Sequence, residues 1–136
     1  MRFGSTALLV VLVTGCGDAM LGTKAHAQAE TRIVLKGGES VEIKTVYYVS
    51  NCRSIMIGLP EVEVLEGPPQ VTLSVKEGMV LPRRQNCANR IPGGILMATA
   101  KDVSEPLQAK VTYRVKYKTK DGERQRGDVF LLSLFP

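Results

Sequence analysis

From residue 33 onward the chain alternates apolar and polar residues almost one for one, and this period of two constrains the fold more than any single motif. The clearest case lies near the end. Val111, Tyr113, Val115 and Tyr117 share one face of a run whose other face carries Thr112, Arg114, Lys116 and Lys118. Successive side chains of a strand point to opposite sides, so the run reads as a half-buried strand with valines and tyrosines inward. Asp121-Gly122 supplies a tight turn, and residues 129–135 return as an almost wholly apolar strand. A slip of one residue would bury three charges. The expected register is therefore Val111, Tyr113 and Val115 inward, with Arg114, Lys116 and Lys118 outward.

Earlier segments follow the same rule. Ile33-Val34-Leu35 ends at Lys36-Gly37-Gly38, and Val41, Ile43, Thr45, Tyr47 and Val49 form one face opposite Glu42 and Lys44. Short runs at Ile55-Met56-Ile57 and Val62-Glu63-Val64-Leu65 are separated by Gly58 and Pro60. After Gly67-Pro68-Pro69, Val71, Leu73 and Val75 alternate with Thr72 and Ser74 up to an expected turn at Lys76-Glu77-Gly78. Residues 82–94 hold prolines, asparagines and glycines and read as a loop. Residues 95–100 return to strand, with a Met and Ala content that also suits a short helix. Ser104-Glu105-Pro106 is a further connection. About seven to nine short strands, punctuated roughly every 8 to 12 residues, predict an all-β fold built as a single antiparallel β-sandwich.

The first 29 residues are of another kind. Arg2 precedes Ala7-Leu8-Leu9-Val10-Val11-Leu12-Val13, an apolar run of about seven residues against the roughly 20 a spanning helix needs. A basic start, a short apolar stretch and a small-residue exit describe an export signal. Two exits compete. Val13-Thr14-Gly15-Cys16 resembles a lipobox, which would make Cys16 the lipidated first residue, while Ala25-His26-Ala27 and Ala27-Gln28-Ala29 suit ordinary cleavage. The lipobox lies directly behind the apolar run; the alanines lie past Asp18 and Lys24. The expected division is a signal peptide or lipoprotein leader and tether over 1–29, and one sandwich domain over 30–136. Destinations are periplasmic or extracellular, with a membrane association only through a lipid on Cys16.

The domain from residue 30 resembles an immunoglobulin-like domain of the kind found in small exported bacterial proteins of unknown function. Strand spacing, the Cys52 and Cys87 pair, and the Tyr113-Arg114-Val115-Lys116-Tyr117…Asp121-Gly122 hairpin carry the resemblance. Two departures separate it from antibody domains: it has no tryptophan, and Gln85 stands where they place a tyrosine two residues before the second cysteine.

Composition narrows the chemistry. The only histidine is His26, inside the leader, so the domain lacks the commonest general base and metal ligand. No serine has an imidazole to call on, and Glu61, Glu63 and Glu66 follow strand spacing rather than a calcium-loop pattern. Neither an enzyme nor a metal or cofactor protein is expected. Without Arg2, Lys24 and Asp18 the chain keeps 16 basic and 12 acidic side chains, a mild net charge of +4 that by itself implies no nucleic-acid partner.

With Cys16 removed or acylated, Cys52 and Cys87 remain, and in an oxidising compartment such a pair forms a disulfide. Closing about 36 residues stabilises by roughly 3 to 4 kcal/mol on the chain-entropy argument. Arg83, Arg84 and Arg90 surround Cys87 and form a candidate anion-binding loop through forked hydrogen bonds, although the same residues suit a solvated loop. No aromatic residue interleaves them, so the stacking platforms of single-strand nucleic-acid binders are missing. Lys110, Arg114, Lys116, Lys118 and Lys120 form a basic ribbon that discourages edge-to-edge pairing or attracts an anionic surface. Arg126-Gly127-Asp128 spells an integrin-binding tripeptide, which in a hairpin arm reads as coincidence. The expected function is a non-catalytic envelope module for an unknown protein or anionic envelope component. The alternative is a periplasmic binding protein using the arginine loop.

Overall fold

The computed structural model describes residues 30–136; Cys16, His26 and the rest of the leader lie outside them. Nine strands follow in order: β1 (Arg32–Lys36), β2 (Ser40–Val46), β3 (Val49–Ser50), β4 (Arg53–Ser54), β5 (Glu61–Glu66), β6 (Val71–Val80), β7 (Ile91–Ala100), β8 (Leu107–Thr119) and β9 (Gly122–Phe135). Residues 95–100 are thus strand, and a single 3-10 turn, Arg83–Gln85, is the one helical piece among the described residues. One sheet runs β1-β9-β8-β5 and a second β2-β7-β6, with β3 and β4 forming a separate small hairpin. The expected purely antiparallel pairing holds for every pair but one: β1 runs parallel to β9, which makes the first sheet mixed.

Both sheets contribute to one hydrophobic core. Leu35, Val111, Tyr113, Phe130, Leu132 and Leu134 come from the first sheet, and Val46, Leu73, Leu96, Ala98 and Ala100 from the second. Burying each large apolar side chain contributes about 1.5 to 3 kcal/mol. The β8–β9 hairpin has the expected register: Thr119 pairs with Gly122 across Lys120-Asp121, and Gly122 takes a φ of +109° that favours glycine. The Thr119 hydroxyl accepts from the Asp121 N–H and donates to the Gly122 carbonyl, which closes the turn. Val111, Tyr113 and Val115 are buried, and Lys118 is exposed. Arg114 and Lys116, however, are only partly exposed, because β5 lies alongside and brings Glu63 against both.

Three expectations need correction. Lys76-Glu77-Gly78 is not a turn: β6 continues to Val80 and pairs with β7 along its whole length, with Gly78 opposite Gly93. The loop therefore shrinks to residues 81–90, since β7 already begins at Ile91. Gly93 and Gly94 serve close approach rather than chain reversal. A Cβ at Gly93 would sit 2.5 Å from Val80 Cγ2, and one at Gly94 2.5 Å from Val75 Cγ1. The second correction is in β2, where a bulge between Glu42 and Lys44 shifts the phase, so Val46 is buried and Thr45 exposed. Thirdly, Ile55-Met56-Ile57 is no strand of its own. Met56 makes an isolated bridge to Thr119, and the Ile57 N–H donates to the Lys118 carbonyl.

Candidate functional site

Cys52 and Cys87 are joined, with Cα atoms 5.5 Å apart. Cys52 sits in the β3–β4 turn, where Asn51 and Cys52 both take positive φ, and Cys87 follows the 3-10 turn Arg83–Gln85. The bond thus ties the loop after β6 to the chain leaving β2. The Tyr47 hydroxyl donates to Gln85 Oε1 at 3.3 Å and adds a second tie.

The three arginines surrounding Cys87 lie on the loop after β6 and at its end before β7. All three are exposed, and only Arg84 lines the large cleft described next. That cleft, of about 670 Å³, opens between the free edges of β2 and β9. It exists because β1 covers β9 only over residues 131–135, with Arg32 opposite Leu131, so among the described residues the arm from Gly122 to Val129 has no strand paired on that side. The inward row of β9 explains the lining. Leu134, Leu132 and Phe130 belong to the core, but the same face continues as Asp128, Arg126 and Arg124, opposite Tyr113, Val115 and Tyr117 of β8. Beyond Phe130 the inward face turns from apolar to charged.

Lys44 of β2 reaches across the cleft. Its Nζ lies 2.9 Å from Asp128 Oδ2 and 5.5 Å from the Tyr113 ring centroid. Burial alone would lower the Lys44 pKa; the Asp128 carboxylate and the Tyr113 hydroxyl outweigh it and hold the ammonium above its ordinary value. Burial likewise opposes ionisation of Asp128. The Lys44 hydrogen bond, the Val129 N–H at 2.8 Å and the charge of Arg84 prevail, so its pKa is lowered. Burial raises the pKa of Tyr113 and of Tyr117. Arg126 lies over the Tyr48 ring at 4.9 Å, and Tyr48 in turn packs against Tyr117 with centroids 5.5 Å apart.

Lys44, Arg84 and Arg126 therefore come from three separate elements to one cleft, and only Lys44 makes an ion pair there among the described residues. This arrangement suits forked, charge-assisted hydrogen bonds to a carboxylate or phosphate. The basic ribbon is interrupted: Glu63 Oε2 lies 2.7 Å from Arg114 Nε and 3.2 Å from Lys116 Nζ. The Arg114 hydrogen bond, before that of Lys116, lowers the Glu63 pKa. Lys44, Arg126 and Asp128 were not among the expected site residues. For Arg126 and Asp128 the signal was in the sequence, as the point where the even-numbered residues of β9 turn from apolar to charged; Lys44 of β2 is placed by the bulge after Glu42 and had no such signal. Comparison with family models, with curated proteins and with solved structures found no match for this chain.

Proposed function

We propose that this chain is an exported, non-catalytic recognition module with an immunoglobulin-like sandwich, and that it holds an anionic group of its partner in the cleft between β2 and β9. The convergence of Lys44, Arg84 and Arg126 on that cleft carries the reading. For the architecture, support comes from strand order. The sequences β2-β7-β6 and β9-β8-β5 correspond to the B-E-D and G-F-C orders of an immunoglobulin sandwich. The disulfide differs, linking a turn to a loop rather than the two sheets. Its presence fits an oxidising, exported environment.

The arginine loop enters this reading through Arg84 alone, with Arg83 and Arg90 as solvated neighbours. The test is binding of residues 30–136 to phosphatidylglycerol vesicles, to a sulfated polysaccharide and to an acidic peptide at physiological salt. Exposed charges attract diffusely and are screened within about 8 Å, whereas a forked contact is local and survives. At least one probe is expected to bind, with an affinity that falls roughly tenfold in Arg84→Gln/Arg126→Gln, a loss of about 1.4 kcal/mol. Absence of binding to all three probes, or binding indifferent to the double substitution, overturns the proposal.

A further inference from the structure

We infer that the cleft receives an extended, acidic segment of a partner polypeptide, which adds as a strand to the open edge of β9 and places its carboxylates on Arg84, Arg126 and Lys44. The inference rests on the proposed function above and names the class of its ligand.

Two independent observations carry it. The first is the backbone. The Leu131 N–H donates to the Thr31 carbonyl, and the Phe135 carbonyl accepts from the Gly37 N–H, so the peptide groups of these odd-numbered residues face β1. Strand period two then points those of Gln125, Gly127 and Val129 the same way, and β8–β9 pairing has no register shift that would reverse them. Beyond the start of β1, no strand among the described residues pairs with that edge. Such an edge accepts an extended peptide through main-chain hydrogen bonds, while side-chain contacts confer specificity. The free arm, residues 122–129, matches the length of an ordinary strand.

The second observation is a carboxylate already in place. Asp128 puts Oδ2 on the Lys44 ammonium and Oδ1 on the Val129 N–H, which is the first peptide donor of the open edge. One side chain of the protein thus occupies both kinds of contact that an acidic strand would make, a cation across the cleft and an edge N–H. Asp128 is on this view an internal competitor. Arg84 and Arg126 make no ion pair among the described residues, although Arg84 acts on Asp128 through its charge and Arg126 lies over the Tyr48 ring. With Lys44 they outnumber the lining carboxylates Glu30 and Asp128 and supply the charge complementarity that selects an acidic segment.

Opposite effects of neighbouring substitutions test this. The probe is a blocked octapeptide alternating valine and glutamate, with a valine–glutamine version as control, titrated into residues 30–136. Arg84→Gln/Arg126→Gln should weaken binding roughly tenfold, whereas Asp128→Ala, by removing the competitor, should tighten it roughly threefold or more. Gly127→Pro removes an edge-facing donor, with its Cβ in ordinary contact with the Tyr113 carbonyl at 3.6 Å, and should abolish binding; its melting curve establishes that it folds. Independently of any variant, N-methylation of alternate peptide amides should eliminate binding in one phase and leave it intact in the other, because only one row of amides faces β9. Equal binding by the two methylated peptides, or a weakened Asp128→Ala variant, refutes strand addition. If the peptide fails while phosphatidylglycerol vesicles or the polysaccharide bind in an Arg84- and Arg126-dependent manner, the acidic-strand inference falls and the anion-cleft reading stands. If nothing binds, both fall.

Discussion

Asp128 and Glu63 do similar work in different places. Each is a carboxylate that bridges two elements, Asp128 from β9 to β2 and Glu63 from β5 to β8, and each has its pKa lowered by the cations it meets. A carboxylate more acidic in the folded than in the unfolded chain contributes stability that is present above its unfolded pKa and is lost as pH falls through the folded value. The ordinary values are 3.8 and 4.5, so the loss falls below about pH 4.5. Both groups are substantially exposed, and solvent screening keeps the effect small. The melting temperature of the domain should decline on acidification through that window, and that of Glu63→Gln/Asp128→Asn should decline less steeply. Superimposable profiles would show that neither bridge contributes to folding. Lys44 behaves in the opposite sense: its raised pKa extends the pairing with Asp128 to alkaline pH.

Elements were legible where one physical signal dominated. The β8–β9 hairpin combines strict alternation with Asp121-Gly122, and residues 111–119 point as the sequence indicates. β6 and β7 were legible only at their centres. Lys76-Glu77-Gly78 and Pro92-Gly93-Gly94 look like loop residues in isolation, yet Gly93 and Gly94 are there because Val80 and Val75 press against them across the sheet. Such a cause is tertiary and leaves no local mark. The bulge after Glu42 is of the same kind: one extra residue moved Val46 inward and left Lys44 directed at Asp128. The disulfide links this local account to the site. By fixing the Arg83–Gln85 turn beside β2 it holds Arg84 at the cleft. Replacing both cysteines by alanine should therefore have two effects: a loss of roughly 3 to 4 kcal/mol in chemical denaturation, and weaker binding of the acidic octapeptide by folded protein, measured well below the new melting temperature. Unchanged affinity would show that the 3-10 turn keeps its place without the bond.

Across the whole molecule, the chain's direction relates the cleft to the proposed export. β1 runs parallel to β9 and begins at Arg32, and Glu30 and Thr31 lie in the lining of the cleft. Residues ahead of the domain thus join it beside the proposed site. The two processing routes leave different lengths of chain there. Cleavage after Ala27 or Ala29 leaves almost none, so the cleft would face the surrounding compartment without a tether. Acylation at Cys16 leaves 14 residues up to Glu30, which reach at most about 50 Å. That distance would confine the cleft to the layer next to the membrane and raise its effective concentration toward partners anchored there. Intact mass of the protein from its natural host separates the routes: a chain beginning at Cys16 with an acyl group, or one beginning between residues 28 and 30, is the expected result. A chain retaining residues 1–29 without an acyl group would remove the export proposal and, with it, the oxidising environment that the Cys52–Cys87 bond requires.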